Sequence, residues 1–423
     1  MTTRTVGALG IATSLACLTL AGGSAVRTTD LLEGIEPGDT RLVPSVQAAF
    51  EREGYRPGDR ARLVIHHRSK SLTMQVFESG PERVPTLTDT EMNGVAVTRE
   101  RSLGRVSSRR VLTMPIRRWE SGLYFVRLRA ADGRLGFAPF VVAPRRIGEH
   151  RVAIVLPTLT WQAYNFRDDD GDGKADTWYA GKQESTVRLG RAYLDRGVPY
   201  GFRNHLAFLN WLHWTHRKAD YLSQWDLEQV ASPAALARAY DLIVFPGHHE
   251  YVTTREYDLV EGYRDLGGNL MFLSANNFFW RVERKDDLIV KSSRWRDLGR
   301  QEARLIGVQY VGHKRSPRGS WIVRKAPASR WMFAGTDLAI GSPFARGGVE
   351  IDQVTGASPT GVRVVAEIPH LFGPGMKAQM TYYETGRGAR VFAAGAFHLT
   401  RSVTNDPVVW RMLANLWARM VKR

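Results

Sequence analysis

Residues Asp241 to Tyr251 read Asp-Leu-Ile-Val-Phe-Pro-Gly-His-His-Glu-Tyr, an apolar run that breaks at Pro246-Gly247 and delivers His248, His249, Glu250 and Tyr251 in succession. An imidazole moves protons near neutral pH, and a neighbouring carboxylate serves as a base, a metal ligand or an orienting partner. Three further clusters stand near expected element ends: Trp161-Gln162-Ala163-Tyr164-Asn165, Val198-Pro199-Tyr200 and Ser274-Ala275-Asn276-Asn277. His398, in Ala396-Phe397-His398, is another candidate. Each has a plainer reading. A tyrosine behind a strand is commonly a rim residue with a hydrogen-bonded hydroxyl, paired histidines are often exposed, and a carboxylate there often caps a helix. Only the clustering at several strand ends favours chemistry.

The elements that must position these residues alternate. Val152 to Leu156, Leu242 to Phe245, Asn269 to Ser274 and Arg390 to Ala394 are short apolar runs, whereas Leu206 to Trp214, Leu259 to Leu266 and Pro407 to Met420 have helical spacing. Strand and helix in alternation predict a parallel sheet with crossover helices, and such sheets place ligands beyond the carboxyl ends of their strands. The Gly-rich stretch 300–385 is expected to be a β-rich insertion covering one edge. Before Pro144 the pattern differs. Arg62 to His66, Leu72 to Phe77, Ser108 to Met114, Gly122 to Arg129 and Gly136 to Val142 read as antiparallel strands of an immunoglobulin-like β-sandwich over 58–145. Residues 26–57 are expected to be a connector, with a short helix over Ser45 to Glu53 after Pro44.

At 423 residues the chain exceeds what one hydrophobic core usually serves. Its net charge is +17, from 59 basic and 42 acidic residues, and 49 of the basic residues are arginine. These are scattered, so a specific nucleic-acid partner is not expected, while attraction for anionic surfaces or substrates stays open. The one cysteine, Cys17, excludes a disulfide, a zinc-thiolate site and a cysteine nucleophile from the body of the protein. Residues 1–25 combine Arg4, an apolar run from Val6 to Leu20 and an exit at Gly23-Ser24-Ala25, which predicts an export signal and a secreted or cell-envelope location. A short membrane anchor or a misassigned start is the competing reading. Ser14, three before Cys17, argues against a lipoprotein signal.

Leu156-Pro157-Thr158, Trp161 to Asn165, Pro246 to Tyr251, Leu273 to Asn276, Gly335-Thr336-Asp337-Leu338, Gly348 to Asp352 and Val391 to Gly395, taken in order, resemble the C-terminal domain of the N,N-dimethylformamidase large (beta) subunit. The resemblance covers roughly residues 150–420. It implies a glutamine-amidotransferase-like (flavodoxin-like) α/β fold without the usual cysteine. It also implies a mononuclear iron (Fe3+) held by two tyrosinates and a carboxylate. Carried onto this sequence, the ligands are Tyr164, Tyr200 and Glu250, with Tyr251 in reserve for Tyr200, and with His248 and Asn276 as catalytic neighbours. Phenolate and carboxylate are hard donors suited to ferric iron, and such an ion acidifies bound water and polarises an amide. His248 would then shuttle the proton and Asn276 orient substrate or oxyanion. A small-molecule amide is the implied substrate, and a homo-oligomer or an unidentified small subunit the implied assembly. Because this chain is much shorter than the characterised amidase, specificity for dimethylformamide is not implied.

Asp168-Asp169-Asp170-Gly171-Asp172-Gly173-Lys174-Ala175-Asp176 matches the first nine positions of an EF-hand loop, and predicts a Ca2+ site with ligands at Asp168, Asp170, Asp172, the Lys174 carbonyl and Asp176. The twelfth position is Tyr179 rather than glutamate, and a solvated acidic turn is the plainer reading. Two other functions stay open. One is an exported non-catalytic binding protein using Trp161, Trp178, Trp211 and Trp214. The other is a cell-envelope polymer-modifying enzyme.

Overall fold

The computed structural model describes residues 45–422 except 87, 173 and 180–185. The expected signal or anchor at 1–25 and the first part of the connector lie outside the described residues, as does Gly173 of the acidic loop. Among the described residues no helix is long and apolar enough to cross a membrane.

The N-terminal part consists of two sheets around one core. Gln47–Phe50, Arg60–His66 and Arg109–Pro115 form a three-stranded antiparallel sheet. Gly54–Tyr55, Leu135–Val142, Gly122–Ala130, Ser69–Ser79 and Val95–Ala96 form the second, with Arg101–Val106 also on Ser69–Ser79. Alternation does the sorting. In Arg60–His66 the residues Ala61, Leu63 and Ile65 point inward to meet Leu72, Val126 and Phe140. The short helix expected over Ser45 to Glu53 is instead a strand. Ala48 and Phe50 are buried at a spacing of two, and Ala48 pairs with Ile65, so period-two burial wins over the helical reading. Residues 47–55 therefore belong to the sheets, and the connector is shorter than expected.

The second part is built on a ten-stranded sheet. Its first five strands, in spatial order Asp220–Ser223, Val152–Leu156, Leu242–Phe245, Asn269–Phe272 and Arg390–Ala393, are parallel. Both faces are covered. Ile154 and Val244 contact a core containing the helices Phe202–Trp214 and Pro407–Met420, while Val155 and Ile243 contact one containing Pro233–Ala239 and Thr254–Asp265. This explains why these strands read as unbroken apolar runs. Val152–Leu156 pairs on one side with Asp220–Ser223 and on the other with Leu242–Phe245. The chain thus reverses direction across the sheet here, which is a topological switch point.

The stretch 300–385 is β-rich and covers the edge of the parallel half by pairing with it. Met376–Glu384 pairs antiparallel with Arg390–Ala393, so Arg363–Gly373, Gln309–Val323 and Pro343–Gln353 extend the sheet in its own plane. The last strand, Ala396–Phe397, follows Arg390–Ala393 closely in sequence yet lies at the far end, beside Pro343–Gln353. The antiparallel half therefore curls back on itself, and Asp352 N donates to Gly395 O at 2.9 Å. That curl returns Pro343–Gln353 to the parallel strands.

Candidate active site

Three loops leave the carboxyl ends of neighbouring parallel strands and meet the returning strand. Val152–Leu156 runs through Pro157 into the buried helix Thr158–Ala163, whose C-cap is Tyr164. Leu242–Phe245 turns at Pro246-Gly247 into His248, His249 and Glu250. Gly247 fits a close packing there, since a Cβ would lie 3.0 Å from His205 Nδ1 and 3.2 Å from Pro157 Cγ and those side chains would have to give way. Asn269–Phe272 leads to Asn276. Five non-glycine residues on these segments and the strands beside them have positive φ: Asn276 (φ 51°), Phe278 (59°), Ala345 (40°), Val349 (70°) and His398 (80°). For a β-branched valine this conformation is strained, and strain of this kind gathers at functional sites.

The side chains converge on Glu250. The Tyr164 hydroxyl donates to Glu250 Oε2 at 2.6 Å, and the Tyr179 hydroxyl donates to the same oxygen at 2.9 Å. The Tyr251 hydroxyl touches that of Tyr179. His248 Nε2 lies 3.1 Å from the same oxygen and 4.0 Å from Glu350 Oε1. Its Nδ1 is 3.1 Å from the Ala275 carbonyl, an acceptor only, so Nδ1 carries a proton and Nε2 faces the cluster. The site is enclosed: Tyr164, His248, Glu250, Asn276 and Glu350 are all buried. Two polar atoms in it, Asn276 Oδ1 and Glu350 Oε2, have no hydrogen-bond partner among the described residues. Orphaned acceptors in a buried cluster call for a partner such as a water or an ion.

Burial, then Glu250, pushes the phenols of Tyr164 and Tyr179 far above their ordinary value, and the same holds for Tyr251. Burial also raises Glu350, against the pull of His248. Burial works the other way on His248, but Glu350 and Glu250 outweigh it and hold the imidazole protonated well into the alkaline range. Burial lifts Asp352 to about 7, although its Oδ1 accepts from Asn276 N at 2.9 Å. His249 turns away, packs on Phe245 and is driven down to about 3 by burial.

Of the residues singled out in the sequence, the structure brings Tyr164, His248, Glu250 and Asn276 together. Tyr200 contributes its ring, stacked on Tyr164 with centroids 4.9 Å apart. Tyr179 and Glu350 are the residues that sequence reasoning missed. Tyr179 was visible only as the twelfth position of the acidic loop, and it points at Glu250 rather than at that loop. Glu350 and Asp352 occupy one face of a strand two residues apart, an unusual pair of carboxylates for a buried strand. Tyr251, expected only in reserve, is fully buried beside Tyr179. His398 packs behind Phe397, whose ring meets His248 at 4.8 Å, and its Nδ1 accepts from Arg318 Nε at 3.0 Å. Trp161, Trp178 and Trp211 are buried in the cores, which removes them as an open ligand platform.

In the acidic loop, carboxylate oxygens of Asp168, Asp170 and Asp176 lie within 4.8 Å of one another, and Asp172 is not in that group. Asp172 instead accepts from the Lys174 backbone at 2.8 Å. The loop is tied back by Asp176 N on Arg167 O at 2.9 Å and leads through Trp178 to Tyr179.

Fold and cluster together define a β-sandwich joined to an α/β sheet, with a buried phenol, carboxylate and imidazole centre at the sheet's switch point. Residues 47–407 match the family described as N,N-dimethylformamidase beta subunit-like, C-terminal, and the chain belongs to that family. It is 26% identical over 204 residues to the N,N-dimethylformamidase beta subunit of an Alcaligenes species, covering 39% of this chain and 26% of that protein. The chain thus matches about a quarter of the length of that relative. Among solved structures it is similar to CHIR-AB1 (13% identity, 24% of this chain and 99% of that one, TM-score 0.17) and to a superoxide reductase (neelaredoxin) from Ignicoccus hospitalis (11%, 26% and 89%, TM-score 0.18). Scores this low do not define a shared fold.

Proposed function

We propose that the protein is a metal-dependent hydrolase of a small amide or a related C–N bond. The observation that carries this reading is the convergence of two phenol hydroxyls and His248 Nε2 on one oxygen of Glu250, beside the orphaned acceptors of Asn276 and Glu350. Tyr164, Glu250 and a second tyrosine would hold ferric iron. Tyr179 is preferred on hydroxyl position, and Tyr200 is the alternative from the family resemblance. These oxygens fit a hard trivalent cation, whose charge would reverse the burial effect that keeps the phenols protonated. When bound, the ion supplies a Lewis acid that polarises an amide carbonyl and acidifies water.

The chain's own residues do the rest. The amide takes up one water: a C–O bond forms, the C–N bond breaks, and a proton must reach the leaving nitrogen. His248, oriented by Ala275 O, holds that proton at Nε2 and is placed to pass it on. Glu350 is the adjacent group that accepts or returns it. Asn276, fixed by Asp352, presents its side-chain amide to the substrate and orients the carbonyl. Burial excludes bulk water and strengthens each of these interactions. The family relative's name as a beta subunit supports a companion subunit or self-association. The switch point and parallel strand order support the glutamine-amidotransferase-like reading of the sheet, and the paired antiparallel sheets support the immunoglobulin-like reading of the sandwich.

The test is metal analysis, visible spectroscopy and amide hydrolysis on protein grown in iron-replete medium. Near-stoichiometric iron, a phenolate charge-transfer band and release of amine are expected. Protein with no transition metal and no amide hydrolysis overturns the reading.

A further inference from the structure

The sandwich carries a groove of about 520 Å³, far from the buried cluster, between the edges of its two sheets. Its floor is apolar, formed by Met74, Val76 and Met114, with Trp119 at one side. Its rim carries Arg99, Arg101 and Arg117, all exposed. None of these three guanidinium groups makes an ion pair among the described residues, and from 99 to 118 the chain has seven arginines against one glutamate. One wall includes Thr113, Met114 and Pro115 of Arg109–Pro115, an edge strand that pairs only with Arg60–His66. An open strand edge, an apolar slot and a predominantly cationic rim coincide, Glu100 being the one carboxylate among the lining residues.

We propose that this groove docks an extended acidic segment of a partner protein, which adds as a strand beside Arg109–Pro115. Strand addition draws affinity from backbone hydrogen bonds and specificity from pockets that take alternate side chains. The slot admits apolar side chains on one face of the incoming strand, because residues two apart share a face. Carboxylates flanking them meet Arg99, Arg101 and Arg117, which accounts for cationic groups left without partners around an apolar mouth. An edge strand of this kind is otherwise a hazard, and natural proteins cover or pair it. The flanking charge selects the acidic occupant.

The experiment uses the full chain and a labelled synthetic peptide of about ten residues alternating glutamate and valine, long enough to run the strand. Fluorescence anisotropy should show saturable binding that weakens with added salt, and amide hydrogen exchange should slow across Arg109–Met114. The double variant Arg99→Glu/Arg117→Glu, at two exposed positions, should weaken binding about tenfold or more with its melting temperature unmoved. A lysine-for-glutamate peptide should not bind. The proposal is overturned by absence of peptide binding, by equal binding of the lysine peptide, by indifference to the charge reversal, or by binding without protection of Arg109–Met114. It is equally overturned if a uronate oligosaccharide binds the groove and the peptide does not.

Discussion

The Tyr164 hydroxyl lies 2.6 Å from Glu250 Oε2, although 86 positions separate the two residues in sequence. They meet because the strands that precede them are neighbours, with Ile154 opposite Val244. Each strand delivers its reactive residue at the same end, and the contact is a direct product of parallel pairing at the switch point.

The phenols can be told apart by substitution. In protein carrying ferric iron, Tyr164→Phe should abolish or strongly shift the visible charge-transfer band. Tyr179→Phe should shift it too, because its hydroxyl reaches Glu250 at 2.9 Å. Tyr200→Phe, which keeps the ring stacked on Tyr164, should leave the band in place if Tyr179 is the second phenol. The opposite pattern for Tyr179 and Tyr200 assigns the second phenol to Tyr200. Each hydroxyl lost from this buried cluster should also cost about 1–3 kcal/mol in denaturant unfolding.

A second prediction concerns pH. Glu78 lies where the sandwich meets the helix Phe202–Trp214, with Oε1 3.9 Å from His213 Nε2. Burial, aided by Glu120 and opposed by Lys218, raises its carboxyl from 4.5 to about 7. The folded state therefore binds this proton more tightly than the unfolded state. Its stabilising contribution is complete below about pH 4.5 and is lost as the pH rises to about 7. Glu78→Gln should gain stability relative to wild type across that window, on the order of 1–2 kcal/mol after allowing for partial solvent access. His213, pulled down to about 4 mainly by burial, titrates with the opposite sign, so the difference between the two proteins is the quantity to follow. A flat difference from pH 4 to 8 would falsify the assignment.

Where one local rule decided the structure, the sequence was readable. Val152–Leu156 and Leu242–Phe245 are continuous apolar runs, and Pro407–Met420 begins where Asp406 caps the backbone of Val408 and Val409 just ahead of a helical stripe. Gln47–Phe50 was not readable, because four residues cannot separate a period of two from one of 3.6. Tyr164, Glu250, His248 and Asn276 follow strand ends, so their convergence could be anticipated from a parallel sheet. Glu350 could not, since it reaches His248 only through the curl of the antiparallel half, a long-range pairing with no local signature. Tyr179 was masked by the acidic motif that ends on it.

Alongside a shared apolar core, a buried ionic bridge ties the sandwich to the α/β part, through Arg284 on the strand Trp280–Lys285 of a separate four-stranded sheet. Arg284 Nη1 meets Glu53 Oε1 at 2.7 Å and its Nε meets Glu228 Oε2 at 3.1 Å, all three side chains being largely buried. Arg284→Met would leave two carboxylates close together without their cation. A destabilisation of about 3–5 kcal/mol is expected in denaturant unfolding. Adding Glu53→Gln and Glu228→Gln to the same chain should recover a large part of that loss, because the penalty comes from uncompensated buried charge rather than from lost packing. No recovery in the triple variant would locate the cost in packing around Trp225, over whose ring Arg284 also lies.

The acidic loop should bind Ca2+ and, through its continuation, hold Tyr179 in place. Asp168, Asp170 and Asp176 bring carboxylate oxygens within 4.8 Å of one another, a repulsive arrangement that a divalent cation relieves. With Tyr179 turned to Glu250, the loop lacks its bidentate twelfth ligand, so affinity should be modest, of the order of 10⁻⁴–10⁻³ M as in extracellular modules. Calcium at a hundredfold excess over Kd should then stabilise the fold by about 2.7 kcal/mol, and chelator should lower the melting temperature. Asp168→Asn/Asp170→Asn should melt alike with and without calcium. The same chelation should disturb the visible band wherever Tyr179, and not Tyr200, is the second phenol, since the chain from Asp176 to Tyr179 is the direct covalent path between loop and cluster. A melting curve indifferent to calcium in the wild-type protein would reduce the loop to a solvated acidic turn and leave the positioning of Tyr179 to Glu250, Tyr251 and the stacked ring of Tyr164.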